Sequence, residues 1–330
     1  MPDGYTGLQH YDFPVHSSAH DLIELDPRLR GIFIPDEALV RLCTGARWSE
    51  GPVWFEAQKR LVWSDIPNNR MLSWAERDGM TVFRAPSNFS NGNTLDREGR
   101  MVTCEHGRRC ISRTEVDGGV HVLVNRFEGK RLNSPNDVVV KSDGTIWLTD
   151  PSYGIMSDAE GYKAESEFGG PNESGCYVFR FDPATDDIAI VERSFSKPNG
   201  LAFSLEETLL YVSDTSASHD PLGNHHVRVF DVVDGKYLAN GRVFAVIEPG
   251  LPDGFRLDER GWLFVSSEDS IQVFHPDGTL LGKILVPEKI ANCAFGGAGR
   301  DELFITASTS LHRIRLNTRG ALRPERLAGA

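Results

Sequence analysis

The stretch KPNGLAFSLEETLLYVSDT, residues 197–215, contains a Pro-Asn-Gly turn, a short apolar strand, a polar hairpin turn and a second apolar strand ending in Ser, Asp and Thr. The same order of features recurs in SPNDVVVKSDGTIWLTDPS at 134–152 and in LPDGFRLDERGWLFVSSED at 251–269. Three weaker copies occupy residues 49–67, 90–107 and 290–308. Six copies of one two-stranded unit indicate a repeat protein.

One register position carries an oxygen-bearing side chain in every copy: the residues are Glu50, Asn91, Asn136, Asn199, Asp253 and Asn292. Successive positions lie roughly 40–60 residues apart, close to the length of a four-stranded propeller blade. Two further β-like segments follow the paired strands, as in CYVFRFD at 176–182 and IAIVERS at 188–194. The sequence therefore predicts an all-β, six-bladed β-propeller with four strands in each blade.

The last copy is followed by too few strands to complete its blade. The segment ALVRLCT, residues 38–44, precedes the first copy and is expected to supply the missing strand, so that N-terminal chain closes the ring. We therefore divide the chain into an N-terminal arm, residues 1–37, and the propeller, residues 38–330. The arm is expected to lie on the surface or to pack on a neighbouring subunit in a homodimer.

Composition narrows the class of protein. The 330 residues include 47 acidic and 35 basic side chains, a net charge of −12, which argues against a nucleic-acid partner. No apolar run approaches the ~18 residues of a membrane span, and the N-terminus lacks the pattern of a secretory signal. The five cysteines are scattered and form no CxxC pair, so we expect reduced thiols in a cytoplasmic protein.

The register position predicts a metal site. In a propeller the first strand of each blade lines the central channel, so the six registered side chains should converge on the channel mouth. Carboxylate and amide oxygens are the ligands of a hard divalent cation, Ca²⁺ above all, and no Cys or His occupies the register to favour a softer metal. The competing interpretation is that Asn, Asp and Gly after Pro are turn residues only.

The chain resembles the SMP-30/gluconolactonase/regucalcin-like family over nearly its whole length after the arm. The resemblance rests on four motifs, which are SEGPVW at 49–54, LVWSDIPNNRMLSW at 61–74, NSPNDVVVKSDGTIWLTDPSYG at 133–154 and KPNGLAFS at 197–204. It implies a six-bladed propeller that hydrolyses sugar lactones. It also implies a divalent cation at the channel mouth, with ligands on Glu50, Asn136, Asn199 and Asp253.

A branch within the family is indicated by two further segments. TCEHGRR at 103–109 and LTDPSYG at 148–154 resemble the bacterial gluconolactonases. In that chemistry the cation would polarise the lactone carbonyl and stabilise the oxyanion that forms on it. The resemblance implies Asp253 as the general base, whereas a metal-bound carboxylate is a weak base, so a role as ligand only stays open.

Five residues are candidates for binding the substrate: Asn91, His106, Arg108, Tyr153 and Asn292. His106 and Arg108 follow the inner hairpin of the second blade, where the alternative is a solvated turn. Asn91 and Asn292 share the register but lie on blades that the family does not count as metal donors. Tyr153 follows TDPS, and its position alone suggests that it covers the site.

Two other groups of residues are given structural roles. Asp65, Asp150 and Asp214 recur at the end of the second strand, where each carboxylate is expected to cap backbone N–H groups of the next turn. His225 and His226 lie in a polar insertion and are interpreted as surface-loop residues.

Two alternative functions remain open from the sequence. One is hydrolysis of an organophosphate, or of another ester or lactone, by the same fold and metal set. The other is a non-catalytic calcium-binding or scaffold propeller, because a fold does not determine its function. Zn²⁺, Mn²⁺ or Mg²⁺ could also replace Ca²⁺ in assays.

Overall fold

The computed structural model describes residues 21–170 and 174–322, and it confirms the all-β, six-bladed propeller. Six antiparallel sheets form the blades, and in each the strand that contains or directly follows the register residue is the innermost strand. Within these ranges there is one turn of α-helix, α1 (Tyr153–Met156). There are also three short 3₁₀ turns, at Pro27–Leu29, Ile66–Asn68 and Ser216–Ser218.

The strands are numbered in chain order. Those of the N-terminal region and of blades one to three are β1 (Leu22–Glu24), β2 (Val40–Thr44), β3 (Ser49–Phe55), β4 (Arg60–Asp65), β5 (Arg70–Ala75), β6 (Gly79–Arg84), β7 (Ser90–Leu95), β8 (Met101–Glu105), β9 (Cys110–Thr114), β10 (Val120–Val124), β11 (Arg126–Phe127), β12 (Lys130–Arg131), β13 (Val138–Val140), β14 (Ile146–Asp150), β15 (Tyr177–Asp182) and β16 (Asp187–Glu192). Those of blades four to six are β17 (Pro198–Phe203), β18 (Leu209–Asp214), β19 (His226–Val233), β20 (Tyr237–Val246), β21 (Phe255–Leu257), β22 (Leu263–Ser266), β23 (Ser270–Phe274), β24 (Leu280–Leu285), β25 (Ile290–Gly296), β26 (Glu302–Ala307) and β27 (Ser310–Arg315).

The blades are β3–β6, β7–β10, β13–β16, β17–β20, β21–β24 and β25–β27, and β11 and β12 form a separate hairpin between blades two and three. Blade six is completed by β2, which pairs with β27 from Val40 opposite Arg313 to Thr44 opposite Ser310. The expected closure of the ring by N-terminal chain is therefore confirmed. The closing strand comes from the segment 38–44, as the sequence predicts.

The described part of the N-terminal arm is attached to the propeller. β1 adds a fifth strand to blade five, with Leu22 opposite Ile284 in β24. Leu29 and Ile32 are fully buried in the core between blades five and six. Residues 1–20 of the arm lie outside the described residues.

Neighbouring blades are held together by apolar cores. Six clusters of buried side chains occur in the described chain, and each contains residues of two neighbouring blades. Between blades six and one, for example, Phe304 stacks on Trp54 with ring centroids 5.3 Å apart. Because each blade contributes one face to each of two cores, the ring buries its apolar side chains without a single central core.

Buried hydroxyl groups add polar contacts between blades close to the channel. Ser64 Oγ donates a hydrogen bond of 2.7 Å to the carbonyl of Asn91, which is in the next blade. Thr149 Oγ1 makes the same contact with Asn199 at 2.6 Å, and Ser213 Oγ with Asp253 at 2.8 Å. In blades one, three and four, a Ser or Thr near the end of the second strand therefore positions the register residue of the following blade.

Two remaining features concern the expectations from composition. Within the described ranges no helix combines the length and the apolar character that a membrane-crossing helix needs. All five cysteines are free thiols, and four of them are buried.

The end of the channel away from the register residues opens into a cavity of about 470 Å³, lined by inner-strand side chains such as Val53, Leu95 and Phe203.

We expect the hydroxyl contacts between blades to stabilise the fold measurably. In Thr149→Val the shape is kept, but the buried carbonyl of Asn199 loses its donor, which should lower the free energy of unfolding by about 1–3 kcal/mol. Urea unfolding followed by tryptophan fluorescence measures the change. Thr185→Val, in an exposed turn, is the control and should be close to neutral; equal effects of the two substitutions would contradict the role of the contact.

Candidate active site

The six register residues lie at the starts of the six inner strands. Glu50, Asn91, Asn199 and Asn292 are the second or third residues of their strands, and Asn136 and Asp253 lie two residues before theirs. Five of the six are almost fully buried, whereas Asp253 is partly exposed to solvent. Glu50 Oε2 accepts hydrogen bonds from Gly51 N at 2.8 Å and from Asn292 Nδ2 at 3.2 Å, which joins blade one to blade six across their seam.

Glycines next to the register residues allow the inner strands to approach one another. A Cβ at Gly51 would lie 2.2 Å from the carbonyl oxygen of Asn91, and one at Gly200 would lie 2.3 Å from that of Asp253. Gly92 and Gly254 face the register residues of their following blades in the same way. Any larger residue would separate the strands, so these glycines set the spacing of the ring.

Electrostatic repulsion is concentrated in this ring. Burial raises the pKa of Glu50 well above its usual value, and the nearby Asp253 carboxylate raises it further. Burial likewise raises the pKa of Asp253, whereas Lys289 opposes the shift. A buried and a partly exposed carboxylate that lie close together, with their pKa values raised, form a site in which a bound cation would be favoured.

Asp137 is a further carboxylate near the ring; it is buried, and it was not among the site residues predicted from the sequence. Its Oδ1 accepts from Val138 N at 2.9 Å, and its Oδ2 lies 3.6 Å from Arg256 Nη1, beyond hydrogen-bond distance. Burial raises its pKa, and Arg256 opposes the shift. A second layer of charge therefore lies beside the ring.

The donors of the ring fit a hard cation rather than a soft one. Across residues 21–170 and 174–322 there is no cluster of three or more His, Cys, Asp or Glu side chains that could hold a metal ion. The register instead combines two carboxylates with the amide side chains of four asparagines. Such a mixed set of carboxylate and amide oxygens matches the ligands of Ca²⁺ in chemical type.

His106 lies at the channel mouth, and the alternative of a solvated turn does not apply because its side chain is 1% exposed. Its Nδ1 lies 2.8 Å from the carbonyl oxygen of Glu160, which can only accept, so Nδ1 carries the proton. Its Nε2 then accepts from Asn91 Nδ2 at 3.3 Å. Burial lowers the pKa of His106 to about 4, so the ring is neutral at pH 7.

This orientation leaves the amide oxygen of Asn91 free. Asn91 Oδ1 is buried and has no hydrogen-bond partner among the described residues. An unpaired buried acceptor is costly, and in native proteins it indicates a missing partner such as a ligand or a water molecule.

Tyr153 also lies close to the ring, through one intermediate residue. Its hydroxyl is 2.7 Å from Thr215 Oγ1, which in turn accepts from Asn199 Nδ2 at 3.3 Å. The hydroxyl also reaches Ser218 Oγ at 3.0 Å. Burial raises the pKa of Tyr153, so its phenol remains protonated at neutral pH.

Arg108 is placed differently from His106. Its guanidinium forms a two-point ion pair with Glu105, at 2.5 Å from Nε and 2.8 Å from Nη2. Glu105 is fully buried at the end of β8 and also accepts from Ser112 Oγ. Within the described chain no hydrogen bond connects the Arg108 side chain to the register residues.

The recurrent aspartates cap backbone groups, but mainly in the turn before the inner strand instead of the next turn. Asp150 accepts from Asn133 N at 2.7 Å and Ser134 N at 2.8 Å. Asp65 and Asp214 accept from the equivalent turns of their own blades. Asp214 also accepts from Ser216 N at 3.0 Å, in the turn that follows its strand. The prediction of a structural role is therefore correct for all three, and the predicted direction is correct only for Asp214.

The interpretation of the paired histidines as surface-loop residues holds only in part. His225 precedes β19 and is outside the strands, but it is partly buried and its Nδ1 lies 2.9 Å from the carbonyl oxygen of Ile247. His226 is the first residue of β19 and is also partly buried, so it is a strand residue.

Comparison with known proteins adds independent evidence. The family described as SMP-30/Gluconolactonase/LRE-like region matches residues 48–309. A gluconolactonase of Zymomonas mobilis is 32% identical, over 92% of this chain and 88% of that protein. A pentonolactonase of Haloferax volcanii is 29% identical, over 80% of this chain and 83% of that protein.

A solved structure resembles the fold closely. The gluconolactonase of Xanthomonas campestris is 39% identical to this chain, and the superposition has a TM-score of 0.84. It covers 94% of this chain and all of that one.

We expect Asp253→Asn to stabilise the cation-free protein at high pH. Because the pKa of Asp253 is raised on folding, the cation-free protein loses stability as pH rises above the ordinary carboxyl range. The variant removes this loss, so its Tm should exceed that of the parent at pH 8 by about 2–4 °C for each kcal/mol relieved, and should match it near pH 4.

Thermal unfolding in the presence of a chelator measures this difference, with the exposed Asp234→Asn as the control. With Ca²⁺ added, the order should reverse, because the parent binds the cation more tightly and is stabilised by that binding. A lower Tm for Asp253→Asn at pH 8 without the cation would contradict the repulsion.

Proposed function

The chain belongs to the SMP-30/gluconolactonase/LRE-like family, and we propose that it is a lactonase that opens a sugar lactone of the gluconolactone type to the aldonic acid. The observation that carries this proposal is the ring of registered carboxylates and amides at one end of the channel. The named gluconolactonase and pentonolactonase relatives support the reaction and the class of substrate.

The proposed cofactor is one divalent cation, Ca²⁺, held by Glu50, Asn136, Asn199 and Asp253. The two carboxylates would balance its charge, and the two amides would add neutral oxygens. The cation would supply Lewis-acid chemistry toward the lactone carbonyl. The raised pKa values of Glu50 and Asp253 support a cation between them, because burial raises both and the Asp253 carboxylate raises that of Glu50 further.

Asp253 is the proposed general base. It is the partly exposed member of the ring, so a water molecule can reach it from the channel mouth. Asp253 would accept a proton as the water oxygen bonds to the carbonyl carbon. When the bond to the ring oxygen breaks, the proton would pass to that oxygen, which becomes the free hydroxyl of the aldonic acid.

The remaining predicted residues would bind and orient the substrate. His106 is neutral, so it would not attract an anion; instead it holds the Asn91 amide with its oxygen free. Tyr153 would position Asn199 through Thr215. Asn292 would orient Glu50. Arg108 is held in its ion pair with Glu105, so it would contact the substrate only if that ion pair opened.

We expect hydrolysis of glucono-1,5-lactone to depend on a divalent cation. A pH-indicator assay of proton release should show activity that chelation removes and that Ca²⁺ restores. Without the cation the lactone carbonyl would lack the Lewis acid that polarises it. The spontaneous rate of hydrolysis is subtracted with a protein-free blank. Activity that survives full chelation would contradict the proposed cofactor. Binding of Ca²⁺ without turnover of any lactone would contradict the proposed function.

Substitution of Asp253 separates the roles of base and ligand. Asp253→Ala should reduce kcat/KM by at least about 10²-fold, because general-base catalysis alone contributes 10²–10⁴-fold. Asp253→Asn is the sharper variant: a Ca²⁺ complex that forms but does not turn over would support a base. Calorimetric titration with Ca²⁺ is measured beside the assay, and Asp234→Asn is the control. An active Asp253→Ala protein would exclude Asp253 as the base.

A further inference from the structure

The chain that leaves blade three after β14 is bonded to the turn that carries Asn136. Its first part, residues 151–164, is called the mouth loop below. Ser134, two residues before Asn136, is fully buried. The Ser134 hydroxyl donates to the carbonyl oxygen of Pro151 at 2.6 Å and accepts from Gly154 N at 2.9 Å. One buried hydroxyl therefore joins the start of the mouth loop to a register turn.

The mouth loop is also attached to the turn that carries Asn199, by two routes. Lys197, two residues before Asn199, donates from Nζ to Ser152 Oγ, and the same Nζ lies 5.2 Å from the centroid of the Tyr153 ring. The Tyr153 hydroxyl is 2.7 Å from Thr215 Oγ1, which accepts from Asn199 Nδ2 at 3.3 Å. The loop therefore acts on both the backbone turn and the side chain of Asn199.

A third attachment is made on the side of blade two. The backbone carbonyl of Glu160 accepts from His106 Nδ1 at 2.8 Å, and His106 Nε2 accepts from Asn91 Nδ2 at 3.3 Å. The packing there is close, because a Cβ at Gly154 would lie 2.5 Å from the Cβ of His106. Three of the four register asparagines are thus connected to one loop, through hydrogen bonds of one or two steps.

The attachment at Asn199 determines which way its amide faces, and only the amide oxygen can bind a cation. Thr215 Oγ1 lies 3.3 Å from the carbonyl oxygen of Lys197, to which it can donate its one proton, so it is free to accept from Asn199 Nδ2. Within the described ranges Asn199 Oδ1 accepts no hydrogen bond. The contact of Tyr153 with Thr215 therefore helps to keep the Asn199 oxygen available to the proposed cation.

We propose that the mouth loop is a positioning element of the cation site, so that order in the loop and binding of the cation are linked. The inference rests on the proposed function and specifies how its cation site is controlled. Loss of the loop contacts frees the turn of Asn136 and the amide of Asn199, which weakens binding. A bound cation holds both asparagines and, by reciprocity, stabilises the loop. Tyr153 and Ser134 are the positioning residues that carry this coupling.

Hydrogen exchange of the full-length protein, without substrate, tests the linkage. The amides of Gly154, Ile155, Tyr162 and Ala164 donate within the loop or to its anchor, so they report its order. Exchange is followed by mass spectrometry in excess chelator and at a Ca²⁺ concentration of about 100 Kd. We expect exchange in the loop to be about 10- to 100-fold slower with Ca²⁺, because mass action limits the protection to about 100-fold. Gly144, in the hairpin turn that follows β13 in the same blade, is the control and should not change.

Substitutions test the same coupling from the other side. Tyr153→Phe removes only the hydroxyl, and Ser134→Ala removes the anchor of the loop at the turn of Asn136. Each should raise the Kd for Ca²⁺ by about 3- to 10-fold, the effect of one hydrogen bond, in a calorimetric titration. The loss of kcat/KM in Tyr153→Phe should become smaller as Ca²⁺ reaches saturation. Tyr237→Phe, at an exposed tyrosine of blade four, is the matched control and should leave the Kd unchanged.

The contrary results are distinct. Equal exchange of the loop with and without Ca²⁺ would overturn the proposal, and so would an unchanged Kd in Tyr153→Phe. An unchanged Kd together with a KM that stays raised at saturating Ca²⁺ would make Tyr153 a substrate contact instead. If Ser134→Ala does not fold, the conservative Tyr153→Phe decides alone. A loop that responds to Ca²⁺ in a protein that hydrolyses no lactone would be a failure of the proposed function, and the linkage would stand.

Discussion

The channel mouth depends on how closely the inner strands of neighbouring blades approach one another. Glycine follows the register residue in four of the six inner strands, and in each case the adjacent backbone or side chain occupies the space that a Cβ would need. Buried hydroxyls on the second strands of the preceding blades donate to the carbonyls of three of these register residues, Asn91, Asn199 and Asp253. The result is a small ring of oxygen donors whose positions are set by the close approach of main chain in neighbouring blades.

Close packing of the oxygen donors lowers the stability of the cation-free fold, because it brings carboxylates near one another. Glu50 and Asp253 are held near each other although burial and repulsion raise the pKa values of both. Asp137 adds a third buried carboxylate beside the ring, and Arg256 partly offsets its charge. Such an arrangement is expected where binding or catalysis needs charge, since a fold optimised for stability alone would not retain it.

The parts of the site that could be predicted from the sequence are those that repeat. The register of six oxygen side chains is periodic, so it identified the blades, the inner strands and the ring together. His106 was recognised as a candidate from its position after an inner hairpin. Its partner, the backbone carbonyl of Glu160, was missed because it lies in the long connection between β14 and β15, which is outside the repeated motif. The glycines looked like turn residues, because spacing between blades is a tertiary property that no local pattern encodes.

The closing strand has a consequence for how the protein is made. β2 lies near the start of the chain and pairs with β27 near its end, so the two must meet across more than 260 residues of intervening chain. During synthesis on the ribosome, β2 is exposed as an unpaired edge strand until blade six has emerged. Glu50 in the first blade also gains its Asn292 partner only at that moment. Folding of the last blade and assembly of the ring are thus one event, and a nascent chain cannot acquire a complete site before blade six has been synthesised.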